Sequence, residues 1–262
     1  SATVDPATLV AVAAYAGNVE GSVSRPAEVT AEQLLDSQLH SPEQKADFIT
    51  SVISQGFLGP IFAKASSGTT WRGRKRRWEA TVDYATDTKR DPWMEFGAEY
   101  CISIFTWAVA HSDAVLLGQH WPMYIPFLLA LLDDAEVKHK AHGLAATRMF
   151  LGKCPPAILR NQGVGEILSQ AIQPTLAFLP PLIPPDESAR LLDLAYSAIL
   201  QLAQIDWQPD VNARNRFLVK LLRDEFFAGY QHASQYHEVT EVLTRHSATI
   251  VEELGLAASP HL

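Results

Sequence analysis

The sequence predicts an all-α protein, an α-solenoid of about ten helices paired as antiparallel hairpins. From Met94 onward, apolar residues recur three and four positions apart, which is the period of an α-helix, and alternating strand patterns are absent. The connections between these stretches are short and rich in Pro and Asp. Because helices joined by short connections pack as antiparallel neighbours, this pattern predicts a series of helical hairpins.

The N-terminal segment, residues 1–62, is less regular than the rest of the chain. Its pattern predicts a small helix over Pro6–Ala16 and a helical pair over residues 31–39 and 42–62. Residues 63–91 show no periodicity, so we expect a basic irregular loop there. A loop of that length inside a compact domain is either functional or mobile.

Residues 92–262 are expected to form one continuous domain of helical repeats. Apolar stripes at helical spacing cover residues 102–116, 124–131, 137–151, 167–176, 191–202, 217–226 and 239–254. Each stripe predicts one helix face that is buried against its neighbours.

The clearest hairpin spans residues 120–151. Its first helix ends in Asp133-Asp134, and Asp133 with Glu136 three residues later predicts a capping-box start for the second helix. Small residues around Gly143 in that second helix predict a close approach between the two helices. The order of an apolar helix, an Asp turn and a second helix with a cation is typical of a HEAT repeat of about 40 residues.

Composition excludes several classes of function. The chain has 21 Lys and Arg against 29 Asp and Glu, a net charge of -8, which argues against a general nucleic-acid or anionic-membrane binder. Cys101 and Cys154 have no C-x-x-C neighbours, so neither a disulfide framework nor a zinc knot is expected, and a reducing compartment suits the chain. The longest uninterrupted apolar run, residues 126–132, is shorter than a membrane span. Binding to proteins or to small molecules is the expectation that remains.

A basic cluster within the irregular loop runs against the overall charge. It consists of Arg72, Arg74, Lys75, Arg76 and Arg77, flanked by Trp71 and Trp78. Residues 64–90 carry a net charge of +5, whereas the rest of the chain carries -13. The cluster is interpreted as a docking loop for an acidic partner, a nuclear-localisation signal, a nucleic-acid contact, or a solvated loop tip anchored by the two tryptophans.

The candidate catalytic motifs are incomplete. Asp133 and Asp134 could bind Mg²⁺ in an all-α enzyme, but the chemistry needs further carboxylates, and the one distant acidic cluster, residues 223–225, includes an Arg. His139 and His142 lack a third metal ligand nearby in the sequence. The Gly-rich segment 68–75 departs from a P-loop, and residues 237–241 lack the second His of a zincin. We therefore expect neither catalysis nor a metal or other cofactor.

One motif carries a family resemblance. It consists of Trp121, Pro126, Asp133 and Asp134, followed by Lys140 and Gly143 in the next helix. In this order and spacing, residues 93–151 resemble the Tti-two family, the Tel-two-interacting protein two subunits of the triple-T (TTT) complex. The basic loop matches no feature of that family.

The resemblance implies a HEAT-like solenoid that binds a larger helical-repeat partner, Tti-one, alongside Tel-two. It also implies that the assembly acts with Hsp-ninety in maturing phosphatidylinositol-3-kinase-related kinases, in the cytoplasm and nucleus. The motif residues are then structural or partner-binding. Two alternatives stay open: a generic HEAT adaptor in nuclear transport or regulation, and a magnesium-dependent enzyme that uses Asp133 and Asp134.

Overall fold

A computed structural model describes residues 4–18, 23–61, 96–206 and 210–261. All regular structure in these ranges is helical, so the all-α prediction is confirmed. The chain divides into two compact units, the first ending at Ser112 and the second beginning at Asp113. The basic loop predicted over residues 63–91 lies wholly within the undescribed range 62–95. The solenoid arrangement of the hairpins stays a prediction.

The first unit contains four helices in the described ranges. They are α1 (Pro6–Ala16), α2 (Arg25–Gln38), α3 (Pro42–Asp47, continuing as the π-helix Phe48–Leu58) and α4 (Ala98–His111). The prediction for α1 is confirmed: Asp5 accepts a hydrogen bond from the Thr8 N–H at 3.3 Å and caps the helix, and Pro6 starts it. Helix α2 begins six residues before the predicted start at residue 31. The sequence pattern does not indicate this earlier start, because the first turns are exposed and show no apolar period.

Trp107 on α4 joins the helices of the first unit. Its side chain is 1 % exposed and packs edge to face on Phe48 of α3, with ring centroids 5.8 Å apart. Its indole Nε1 donates to a carboxylate oxygen of Glu32 on α2 at 3.4 Å. The tryptophan is therefore part of the core of the first unit.

The second unit contains the remaining helices of the described ranges. They are α5 (Ala114–Leu132), α6 (Val137–Lys153), α7 (Pro156–Asn161), α8 (Val164–Ile172, followed by the 3-10 turn Gln173–Ala177), α9 (Pro185–Asp206), α10 (Val211–Lys220, continuing through the π-helical turn Leu221–Phe226 to Phe227–Ala233) and α11 (His237–Leu254, followed by the 3-10 turn Gly255–His261). Helices α5 and α6 form the hairpin predicted over residues 120–151.

Helix α9 is the central element of the second unit. It packs against α6 along one side and α11 along another, and it also contacts α8. Its apolar positions recur at helical spacing, and Leu192, Ala195, Tyr196 and Ile199 are almost completely buried. The core of this unit therefore lies around α9, and the α5–α6 hairpin packs onto it through α6.

Helix α5 has the length and mean hydropathy of a membrane-spanning helix, and no other helix in the described ranges meets both criteria. Of its most apolar 18-residue window, 44 % is buried inside the protein. Core helices of soluble proteins pass the same test, so the helix is weak evidence for a membrane span.

Candidate interaction site at the α5–α6 turn

The turn between α5 and α6 is organised by Asp134. One carboxylate oxygen of Asp134 accepts a hydrogen bond from the Glu136 N–H at 2.9 Å, and the other lies 3.2 Å from Nδ1 of His139. These two contacts fix the three-residue path from the end of α5 to the residue that precedes α6. An Asp side chain that bonds the backbone two residues on is a common way to stabilise a tight turn.

The prediction that Asp133 caps α6 is wrong. Asp133 is the exposed residue that follows α5 and still has helical backbone angles, φ -93° and ψ -2°, whereas an N-cap residue needs extended ones. Glu136 occupies the N-cap position of α6 instead, with no capping bond from its own side chain. The hairpin is present as predicted, but the N-cap of α6 lies three residues after the predicted one.

Lys140 on α6 links the start of that helix to the end of α5. Its side chain is buried, and Nζ donates a hydrogen bond to the backbone oxygen of Leu132 at 2.7 Å. Nζ also lies 5.2 Å from the ring centre of Phe178. Burial lowers the pKa of the Lys140 ammonium, while Asp133 and Asp134 oppose that shift. A cation at the C-terminal end of α5 satisfies a terminal carbonyl and suits the helix dipole.

Gly143 sets the distance between α5 and α6. A Cβ atom at this position would lie 2.7 Å from Cβ of Leu131 and 3.2 Å from the backbone nitrogen of Leu132. Any larger residue would push the helices apart. The close approach predicted from the small residues of α6 is therefore observed at Gly143.

The outer side of α5 carries an uncharged face, defined here by Val115, Gln119, Pro122 and Pro126. These residues are three or four positions apart and therefore share one side of the helix. Val115 is 65 % exposed, Gln119 and Pro126 are exposed, and Pro122 is half-buried. Neither proline has an N–H, so the carbonyls of Gly118 and Pro122 lack their usual helical donor. The motif residue Trp121 is half-buried beside this face.

The candidate metal ligands Asp133, Asp134, His139 and His142 and the acidic residues 224 and 225 do not gather around one site in the described structure. In the distant acidic cluster, Arg223 donates a hydrogen bond to the Asp224 carboxylate at 2.7 Å. On α6, His139 pairs with Asp134, and His142 is buried. Across the described ranges, no group of three His, Cys, Asp or Glu side chains is arranged to hold a metal ion.

Two surface cavities in the described part of the second unit lie away from the sequence motifs. One, of about 380 Å³, lies between the loop after α8 and the end of α10, and Pro180, Pro181 and Glu225 line it. The other, of about 420 Å³, lies on α10 beside Arg216, Lys220 and Arg223. The spacing of these three cations, four and then three residues apart, is the sequence signal that could have found the second cavity.

The basic cluster predicted as a docking or localisation loop falls in the undescribed range 62–95. Arg72, Arg74, Lys75, Arg76 and Arg77, together with Trp71, Trp78 and Trp93, lie outside the described residues.

A comparison with protein families extends the resemblance beyond the motif. A family model described as the Tti2 family matches residues 8–262. The match takes in the N-terminal helices and α8 to α11, which the resemblance over residues 93–151 does not cover. No curated protein and no solved structure gives a significant match.

Proposed function

The chain belongs to the Tti2 family, and on that premise we propose that it is a non-enzymatic adaptor subunit of the TTT complex, with Tti-one and Tel-two. The family match over residues 8–262 is the observation that carries this proposal. The proposed role is to support Hsp-ninety in maturing phosphatidylinositol-3-kinase-related kinases, in the cytoplasm and the nucleus. It needs no cofactor and no direct contact with nucleic acid or membrane.

Within this role, the uncharged face of α5 is the proposed docking face for Tti-one. An exposed face without charges can be buried at an interface without the cost of desolvating an ion. The carbonyls of Gly118 and Pro122 offer acceptors to polar side chains of the partner. Lys140 and Gly143 hold α5 firmly against α6, so the face is presented in one geometry, which lowers the entropic cost of binding.

Two matched valines test the docking face. Val115 is 65 % exposed in the first turn of α5, and Val211 is 54 % exposed in the first turn of α10. Each follows a capping aspartate, Asp113 and Asp210 respectively. Val115→Arg should weaken binding to co-expressed Tti-one by about tenfold, because it places an unpaired charge in the interface. Val211→Arg should leave it unchanged.

The readout is co-purification of Tti-one with each tagged variant, quantified against the wild-type chain. Equal recovery with Val115→Arg and with wild type would contradict α5 as the docking face. Failure of the wild-type chain to recover Tti-one at all would contradict the proposed function itself.

A further inference from the structure

Helix α10 bears a basic groove that the proposed function does not use. The groove has a volume of about 420 Å³ and is lined by Asn212, Asn215, Arg216, Val219, Lys220, Arg223 and Ala257. We call this surface the α10 groove. Its three cations are exposed, and their spacing places them along one side of α10.

The charge of the α10 groove is opposite to that of the chain. The chain has a net charge of -8, but among the described residues no carboxylate lines the groove. Asp224, beside the groove, bonds Arg223 through two contacts of 2.7 and 3.4 Å and partly neutralises it. The hydrogen bond from Arg223 lowers the pKa of Asp224, and the nearby charge of Lys220 adds a smaller effect, yet Lys220 forms no salt bridge in the described structure. Arg216 and Lys220 are therefore the cations available to a ligand.

A polar side chain in the same groove has an unused hydrogen-bonding atom. Within the described ranges, the amide oxygen of Asn215 is buried and has no hydrogen-bond partner. The neighbouring Nε of Arg214 is also buried without a partner. Asn215 lines the groove, and a peptide backbone supplies both N–H donors and carbonyl acceptors that suit a side-chain amide. Hydrogen bonding by Asn215 would favour a peptide independently of the charges on Arg216 and Lys220.

We propose that the α10 groove binds an acidic peptide segment of a partner protein. Carboxylates of the peptide pair with Arg216 and Lys220, its backbone meets Asn215, and an apolar residue packs on Val219. A nucleic acid fits less well, because a chain of net charge -8 repels a long polyanion, whereas a short acidic segment meets only the local positive field. The proposal concerns a different helix from the α5 docking face and does not depend on it.

The probe is a fluorescein-labelled peptide of Asp, Glu and Ser residues, with a counterpart in which Asn and Gln replace the acids. Fluorescence anisotropy with the full chain should show binding of the acidic peptide that weakens as salt rises from about 50 to about 300 mM. The combined variant Arg216→Glu with Lys220→Glu should bind at least about tenfold more weakly. The milder pair Arg216→Gln with Lys220→Gln should change affinity in the same direction and guards against misfolding of the charge-reversed chain.

The matched control reverses two exposed cations of α6, Lys138→Glu with Arg148→Glu, and changes the net charge by the same amount. Its affinity for the acidic peptide should stay within about twofold of wild type. Equal loss in the control and groove variants, or equal binding of the acidic and uncharged peptides, would overturn the proposal. The proposal would also be overturned if the chain bound a single-stranded RNA more tightly than the acidic peptide and if Arg216→Glu with Lys220→Glu abolished that RNA binding. Tti-one recovery by the groove variant, measured in parallel, separates this outcome from failure of the adaptor role.

Discussion

At the scale of single residues, Asp133 and Asp134 are adjacent and chemically identical but have different structural roles. Asp134 makes both contacts that shape the turn, whereas Asp133 is exposed at the end of α5. The sequence predicts that an aspartate organises this turn, but it cannot say which one. The choice depends on where α5 loses its helical backbone angles, and that follows from the packing of α5 on α6 rather than from the local pattern.

The pair offers a direct test at this scale. Asp134→Ala should lower the free energy of unfolding by about 1 kcal/mol, because the Glu136 N–H loses its acceptor. Asp133→Ala should change it by less than about 0.5 kcal/mol, as is usual for an exposed position. Urea denaturation of both variants provides the measurement. A larger loss for Asp133→Ala than for Asp134→Ala would restore the capping role predicted from the sequence.

His246 on α11 predicts a dependence of stability on pH. Its side chain is buried, stacks on Tyr196 and lies 2.7 Å from a carboxylate oxygen of Asp193 on α9. Burial lowers the pKa of His246 below its usual 6.5; Arg245 and Arg148 add to that effect, and Asp193 opposes it. The folded state therefore binds the proton more weakly than the unfolded state, so stability falls as pH drops below about 6.5.

Replacing His246 with Gln should flatten this dependence. Between about pH 7.5 and about pH 5.5, the wild-type chain should lose up to about 1 kcal/mol more unfolding free energy than the variant. Chemical denaturation at the two pH values measures the difference. If acidification stabilised wild type relative to the variant, the bond to Asp193 would outweigh the cost of burying the charge.

At the scale of elements, the α5–α6 hairpin depends on one contact distance. Gly143→Ala should lower the free energy of unfolding by about 1–3 kcal/mol, because the added methyl group meets Leu131. Gly152 on the same helix provides the control, since its nearest neighbour, the Gln201 amide, would lie 3.5 Å from a new Cβ. Gly152→Ala should be neutral or stabilise by up to about 1 kcal/mol. Thermal or urea denaturation that ranks the two variants in the opposite order would contradict this packing.

The elements that the sequence predicts best are those with a strong period or a strong start signal. Helix α1 matches its prediction, and the hairpin of α5 and α6 appears where expected. The sequence pattern does not predict the first turns of α2, because these turns are exposed and no apolar period marks them. The sequence predicts helix over Phe48–Leu58 and Leu221–Phe226 but not the π-helical hydrogen bonding of these segments, because π-helices are rare and no residue pattern here marks their i→i+5 bonds.

The candidate sites show the same division. Lys140 and Gly143 are motif residues whose structural roles follow from burial and helix contact, and the sequence places both on the correct helix. The sequence does not show the α10 groove as a basic cluster, because its cations are separated by apolar residues along the chain. They come together only when the helix forms and the 3-10 turn after α11 supplies the opposite wall at Ala257.

At the scale of the whole molecule, charge distribution distinguishes the two proposed binding surfaces. The uncharged face of α5 suits a broad contact with a folded helical partner, and the α10 groove suits a short acidic segment. A family match over residues 8–262 takes in both surfaces. An adaptor with two chemically different surfaces can hold one partner firmly while a second exchanges at a rate that depends on salt.

Affinity purification of the tagged chain from cells under native conditions, followed by mass spectrometry, tests the adaptor role most directly. The account predicts that Tti-one and Tel-two are the most enriched proteins relative to an unrelated tagged control, and that Val115→Arg depletes both while Val211→Arg does not. Enrichment of importins or phosphatase subunits, with Tti-one and Tel-two absent, would contradict it.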